Sequence, residues 1–244
     1  MPRELMPVDN DYSDWIDQIA LPDLVGEVGD LAEFLPYAKH VVGAYRWFRG
    51  WRVKQFLRAL SKTAESMDDN AKVQLEAILK SKEGAEILAD YVKAILHTSS
   101  KSAIAALALL YSDVNDESYS KNFKLSAVTA FEGISEHSID AFLELSCVDS
   151  FIPKENQPNV PYPVAVANDG LIDRLNPPAK DLLRSPDSRV IIISDLIRRG
   201  LLLPDFATAR WSDGGVGLTF GVSDEVTKYV ELIQRARELH PPEE

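Results

Sequence analysis

The chain has 244 residues, 45% of them apolar and 26% charged, which matches an ordinary globular protein able to bury a sizeable core. One cysteine, Cys147, excludes an intrachain disulfide, and the longest uncharged apolar run, Ser102 to Ser112, is far short of the ~20 residues of a spanning helix. The net charge of -12 is unevenly placed: Phe34 to Ala64 contains seven cations and no acid, so this window is +7 and the remainder -19.

Helical periodicity dominates residues 11 to 147. Met1 to Asn10 lacks the layout of a signal peptide. A short helix is expected from Ser13, with Trp15, Ile16 and Ile19 apolar. A second follows Pro22, carried by Leu24, Val25, Val28, Leu31 and Leu35, and Pro36 interrupts it. Tyr37 to Leu60 reads as helix, with Gly50 as the one point where it could break.

Asp68 or Asp69 caps the next helix, and Gly84 to His97 follows with apolar residues three and four apart. Ser99 or Ser100 caps Ala103 to Tyr111, which is apolar nearly all round and therefore belongs in the middle of a bundle. Ser120 to Phe131 and Ser138 to Ser146 complete the N-terminal part. Cys147 is expected as a small core filler at the end of the last of these.

Residues 150–167 hold four prolines and read as a linker or crossing segment, with one short strand at Val164 to Ala167. Beyond it the order is short helix from Pro177-Pro178, helix from Ser185-Pro186 to about Arg199, strands at Leu201 to Leu203 and Val216 to Phe220, and a last helix capped by Ser223. The expected fold is therefore mainly α. A helical bundle over 1–149 and a proline-rich linker over 150–167 lead to a small winged-helix-like α+β module over 168–244.

No catalytic signature is present. His40, His97, His137 and His240 form no i, i+4 pair, and neither a Gly-rich phosphate loop nor a nucleophile elbow occurs. No metal, nucleotide or other cofactor is expected to be required, and a non-enzyme is the favoured class.

The basic aromatic run is the first candidate site. Arg46, Trp47, Arg49, Trp51, Arg52, Lys54 and Arg58 lie in one helix, where Trp47, Trp51, Lys54 and Arg58 form a stripe beside the apolar face of Val53, Phe56, Leu57 and Leu60. The bland reading is that these cations pair with Glu76, Glu83, Glu86 or Asp90 and that the tryptophans are core. The alternatives are a protein partner, an anionic membrane surface or a nucleic acid; a homo-oligomer is a further partner class, with no site assigned to it.

The expected recognition helix of the C-terminal module carries Arg189, Arg198 and Arg199, with Arg210 in the hairpin and Ile191, Ile192 and Ile193 as core. Arg198, Arg199 and Arg210 are the candidate nucleic-acid contacts. Residues 167–244 hold 10 basic and 13 acidic groups, which favours protein contacts over DNA.

Ser194-Asp195-Leu196-Ile197-Arg198-Arg199-Gly200-Leu201-Leu202 and Leu218-Thr219-Phe220-Gly221 resemble motifs of the bacterial abortive-infection alpha family. Members of that family end in a Leu-Ile-Arg-x-Gly-Leu helix and a Leu-Thr-x-x-Gly hairpin, the second here one residue shorter. The resemblance implies anti-phage defence without a defined enzymatic chemistry. The function expected on all these grounds is a cytoplasmic bacterial sensor or adaptor that acts by protein binding. The alternatives are a peripheral effector at the inner membrane and a winged-helix regulator.

Overall fold

The computed structural model describes residues 38–80, 82–113, 119–149, 151, 162–204, 211–212, 215–216 and 218–240, with side chains from Gly50 onward except at 61, 76, 78–80, 82–86, 211–212 and 215–216. The two helices expected before Pro36 lie outside the described residues. The chain is mainly helical, with a small three-stranded antiparallel sheet.

Helix α1 (Ala38–Glu65) runs through Gly50 without a break. A mid-helix glycine costs only about 1 kcal/mol. Here the apolar stripe of Val53, Phe56, Leu60 and Ala64, all buried, holds the helix to the core. Helix α2 (Asp69–Lys80) starts where Asp68 accepts the Ala71 N–H at 2.8 Å, and α3 (Lys82–His97) follows.

Helix α4 (Lys101–Ser112) is the centre of the bundle. Every residue from Ser102 to Ser112 is buried, and α1, α3, α5 (Lys121–Phe131), α6 (Glu136–Ser146) and the C-terminal helix all pack on it. A helix apolar on all sides has no other stable place. The turns before α4 and α6 are tied together. Thr98 donates its hydroxyl to the carbonyls of Ala94 (2.9 Å) and Phe131 (2.8 Å), and the N–H groups of Ser99 and Ser100 both reach the Ile134 carbonyl at 3.2 Å. Gly133 makes that approach in the left-handed region, at φ 69°.

Strand β1 (Val164–Ala167) opens the C-terminal part, then α7 (Asp169–Ile172), α8 (Ala179–Leu183) and α9 (Pro186–Arg198). Ser185 caps α9 with proline in its first turn. Gly200 ends it at φ 75°, with Gly200 N–H to the Ile197 carbonyl and Leu201 N–H to the Leu196 carbonyl, the two bonds of a Schellman motif.

Strands β2 (Leu203–Pro204), β3 (Trp211–Ser212), β4 (Gly215–Val216) and β5 (Leu218–Gly221) precede helix α10 (Asp224–Leu239), capped by Ser223. β5 is the central strand of β1-β5-β2, pairing Ala167 with Leu218 on one side and Leu203 with Gly221 on the other. β3 and β4 form their own small ladder, pairing Trp211 with Val216 and Ser212 with Gly215.

The core does not divide at the proline-rich segment. One buried cluster runs from Phe56 on α1 to Ala236 on α10. Tyr229 of α10 stacks on Phe123 at 4.7 Å between ring centroids and meets the edge of Phe131 at 5.9 Å, both on α5. Packing therefore joins the parts that the sequence separates by composition.

Candidate functional site

The outward face of α1 is the first surface of interest. Val53, Phe56, Leu60 and Ala64 hold the inner face, so at 100° per residue positions 54, 58 and 62 are turned away from the core. Lys54, Arg58 and Lys62 are accordingly exposed. They stand one turn apart, a ridge about 12 Å long, with half-buried Trp51 at its N-terminal end. Arg52 is turned inward and donates to the carbonyl of Leu96, placing its charge at the C-terminal end of α3 where the helix dipole favours a cation.

Arg52 meets a backbone carbonyl, and Lys54 and Arg58 are exposed; of the four acids expected to pair with this helix, only Asp90 has a described side chain. Trp51 is half-buried rather than core. The side chains of Arg46, Trp47, Arg49, Glu76, Glu83 and Glu86 lie outside the described residues.

The C-terminal cations are arranged differently. Arg199 bonds Asp195 at 2.7 Å and donates to the carbonyls of Ala130 and Glu132, joining the end of α9 to the α5–α6 turn. Arg198 pairs with the same Asp195 at 2.6 Å. Burial pushes the Asp195 carboxyl up, but the two guanidinium groups together hold it below the usual range. Arg189 is buried, and Arg210 lies outside the described residues. Of the three expected isoleucines only Ile193 is core, while Ile191 is 66% exposed beside the exposed Val190. The outer face of α9 is thus apolar at its centre, and of its basic residues only Arg198 stands in solvent, already paired.

A cleft of about 910 Å³ lies between the C-terminal half of α6, the segment Leu171–Pro178 and the end of α10. Arg237 forms one wall. Its guanidinium contacts Asp140 at 2.6 Å, Glu136 at 2.9 Å and the Ser102 hydroxyl at 2.8 Å. Glu136 also accepts the Ser100 hydroxyl at 2.7 Å and the Ser102 N–H at 3.1 Å. On the other wall Asn176 donates its backbone N–H and its amide to Glu144 at 3.1 and 3.2 Å.

Cys147 lines this cleft and is exposed, contrary to the expected core filler. It is the C-cap of α6, one step beyond the apolar face that ends at Leu145. Burial, then the neighbouring Glu144, pushes its thiol up, which disfavours the nucleophilic thiolate. Among the described residues the cleft's lining carries no histidine to act as base. Its polar groups stitch helices together.

Glu136 gives this stitching a pH dependence. Burial raises its carboxyl, but hydrogen bonds from Ser100, Ser102 and Arg237 outweigh burial and hold it low. A carboxyl depressed in the folded state contributes stability above its unfolded pKa and loses it as pH falls through the folded value. Urea midpoints measured from pH 7 down to pH 3 are expected to fall less steeply in Glu136→Gln than in the wild type.

Lys62 was within reach of the sequence, since it continues the four-residue spacing of Lys54 and Arg58. Arg237 was not, because its partners lie about a hundred residues upstream. No family model, no curated protein and no solved structure matches this chain. Among the described residues no helix is long and apolar enough to cross a membrane, and no three potential ligands are grouped to hold a metal ion.

Proposed function

We propose that this protein is a non-enzymatic adaptor that takes an acidic protein partner on the outward face of α1. The observation that carries this reading is the exposed ridge of Lys54, Arg58 and Lys62, three cations at one-turn spacing with no acid among them, on a chain of net charge -12. Such a ridge steers and orients an acidic surface, and Trp51 beside it supplies the aromatic anchor common at contact sites. The C-terminal elements are read as a winged-helix-like module used for protein contact, because the outer face of α9 offers Val190 and Ile191 rather than cations. The single cysteine suits a cytoplasmic setting. We read the motif resemblance at 194–202 and 218–221 as supporting a role for the adaptor in anti-phage defence.

A second reading, a peripheral membrane effector, draws on the same Trp51 beside cations, which suits a lipid headgroup zone. The test is the triple charge reversal Lys54→Glu, Arg58→Glu, Lys62→Glu in the full chain. Exposed positions contribute little stability, so the melting temperature is expected to change by no more than about 3 °C. Binding of a fluorescein-labelled glutamate 20-mer is expected to weaken at least tenfold, and wild-type binding to fall as salt rises. Unchanged peptide binding would sink the reading. Wild-type binding to phosphatidylserine vesicles but not to the peptide would promote the membrane reading instead.

A further inference from the structure

We infer that the outer face of α9 is the interface of an antiparallel two-fold dimer of this chain. The inference rests on the reading of α9 as a protein-contact helix and names its partner; it does not depend on the α1 ridge. At 100° per residue, Asp187, Ile191, Ser194 and Arg198 fall within about 60° of one another, at the alternating four- and three-residue steps of a helix–helix seam. All four are exposed, and Val190 beside them is 48% exposed. Among the described residues, Val190 and Ile191 are the only neighbouring pair of exposed large apolar side chains.

This stripe is complementary to itself in one arrangement. Its acid, Asp187, stands in the first turn of α9 and its cation, Arg198, in the last. Asp187 makes no ion pair among the described residues. The Arg198 side chain is 70% exposed and spends one nitrogen on its own Asp195 at 2.6 Å, so the rest of its guanidinium fork is open to a second carboxylate. With a two-fold axis between positions 192 and 193, each Asp187 meets the partner's Arg198, and each Ile191 lies over the small side chain of the partner's Ser194. Parallel pairing sets Asp187 against Asp187 and Arg198 against Arg198. An axis shifted to position 191 sets Asp187 against Asp195. Charge therefore selects one orientation and one register, and the antiparallel orientation also opposes the two helix dipoles.

The contact uses the same patch on both copies, so it closes at two and adds no third. At 13 residues α9 is about 20 Å long, and one helix pair of that length belongs to the interfaces below ~1,200 Å². The dimer is accordingly weak and follows local concentration. It carries two α1 ridges, so a partner with repeated acidic stretches is held by both at once and more tightly than by one.

The experiment uses the full chain. Sedimentation equilibrium is expected to show a reversible monomer–dimer equilibrium. Ile191→Lys is expected to weaken it at least tenfold while melting like the wild type, since position 191 is exposed in the monomer. Asp187→Arg and Arg198→Asp are each expected to weaken it at least tenfold, because each puts like charges across the seam. An equal mixture of these two variants is expected to recover the dimer, because in a mixed pair every cation faces an acid. A wild type that stays monomeric up to millimolar concentration, a dimer indifferent to Ile191→Lys, or a mixture no more dimeric than its components overturns the inference. A labelled DNA duplex of random sequence separates that failure from failure of the contact reading. If the chain is monomeric and leaves the duplex unbound, α9 keeps its contact face and loses only this partner. Duplex binding that Arg198→Asp abolishes overturns both.

Discussion

A chain stopped after Ser223 is expected to lose cooperative folding. Helix α10 contributes Val226, Tyr229, Val230, Leu232, Ile233 and Ala236 to the core, and it covers one flank of α4, the helix that is buried on every side. Without it, the Phe123 and Phe131 rings lose the Tyr229 side chain that packs against both. The depth of that site is visible in the Tyr229 phenol, which burial pushes up to about 12.

Re-exposing a Leu- or Phe-sized side chain costs about 1.5–3 kcal/mol. A few such side chains on α4 and α5 match the ~5–15 kcal/mol by which a typical domain is stable. The latch of Arg237 on Glu136 and Asp140 goes with the helix, leaving two partly buried carboxylates without their cation. The expected result is a broad, non-cooperative thermal transition by circular dichroism and binding of a hydrophobic dye. A cooperative melt close to that of the full chain would show instead that the bundle closes without α10. That outcome would restore the two separable units that the four prolines of 150–167 suggest.

The reason the sequence divides the chain and the packing does not is local against non-local information. Composition changes at Pro153, where prolines replace the helical pattern of apolar residues, and that is a local fact. Tyr229 stacking on Phe123 is a pairing across more than a hundred residues, and no periodicity within either helix reveals it. Features written in neighbouring residues were legible: the all-apolar α4, the Ser185 and Ser223 caps, and the glycine stop at Gly200.

Gly50 misled because propensity is weak beside a buried stripe. The α1 ridge was half legible. Spacing put the tryptophans and cations on one stripe. Whether that stripe faced solvent depended on where α1 lies on α4, and for Arg52 on a carbonyl of α3. Arg189, Arg198 and Arg199 looked alike as cations of one helix. Their fates differ because positions 189, 198 and 199 point to three different surroundings, set by α7, by solvent and by the α5–α6 turn.

Arg189 carries the sharper consequence of that difference. Its side chain is 8% exposed, and it donates to Asp169 at 2.7 Å and to the carbonyls of Leu183 and Ala167 at 3.3 Å each. It thereby ties the end of β1, the first turn of α7 and the last turn of α8 to α9. Arg189→Met keeps much of the aliphatic volume and removes the donors, so packing changes little and the polar loss is isolated. The Asp169 partner is well exposed and rehydrates at little cost, which discounts the ion pair itself. The two carbonyls have no such recourse where water cannot reach them, and a buried acceptor left without a donor costs about 1–3 kcal/mol. The expected loss is about 3 kcal/mol in urea unfolding, a fall of roughly 6–12 °C in Tm for a chain of this size. Arg198→Ala, which removes an exposed pair, is expected to stay within about 0.5 kcal/mol of the wild type. A reader of nucleic acid would reverse this order of importance, with Arg198 mattering for binding and neither residue for stability. If Arg189→Met melts like the wild type, the guanidinium is not holding β1, α7 and α8 to α9, and α9 regains its claim to be a recognition helix.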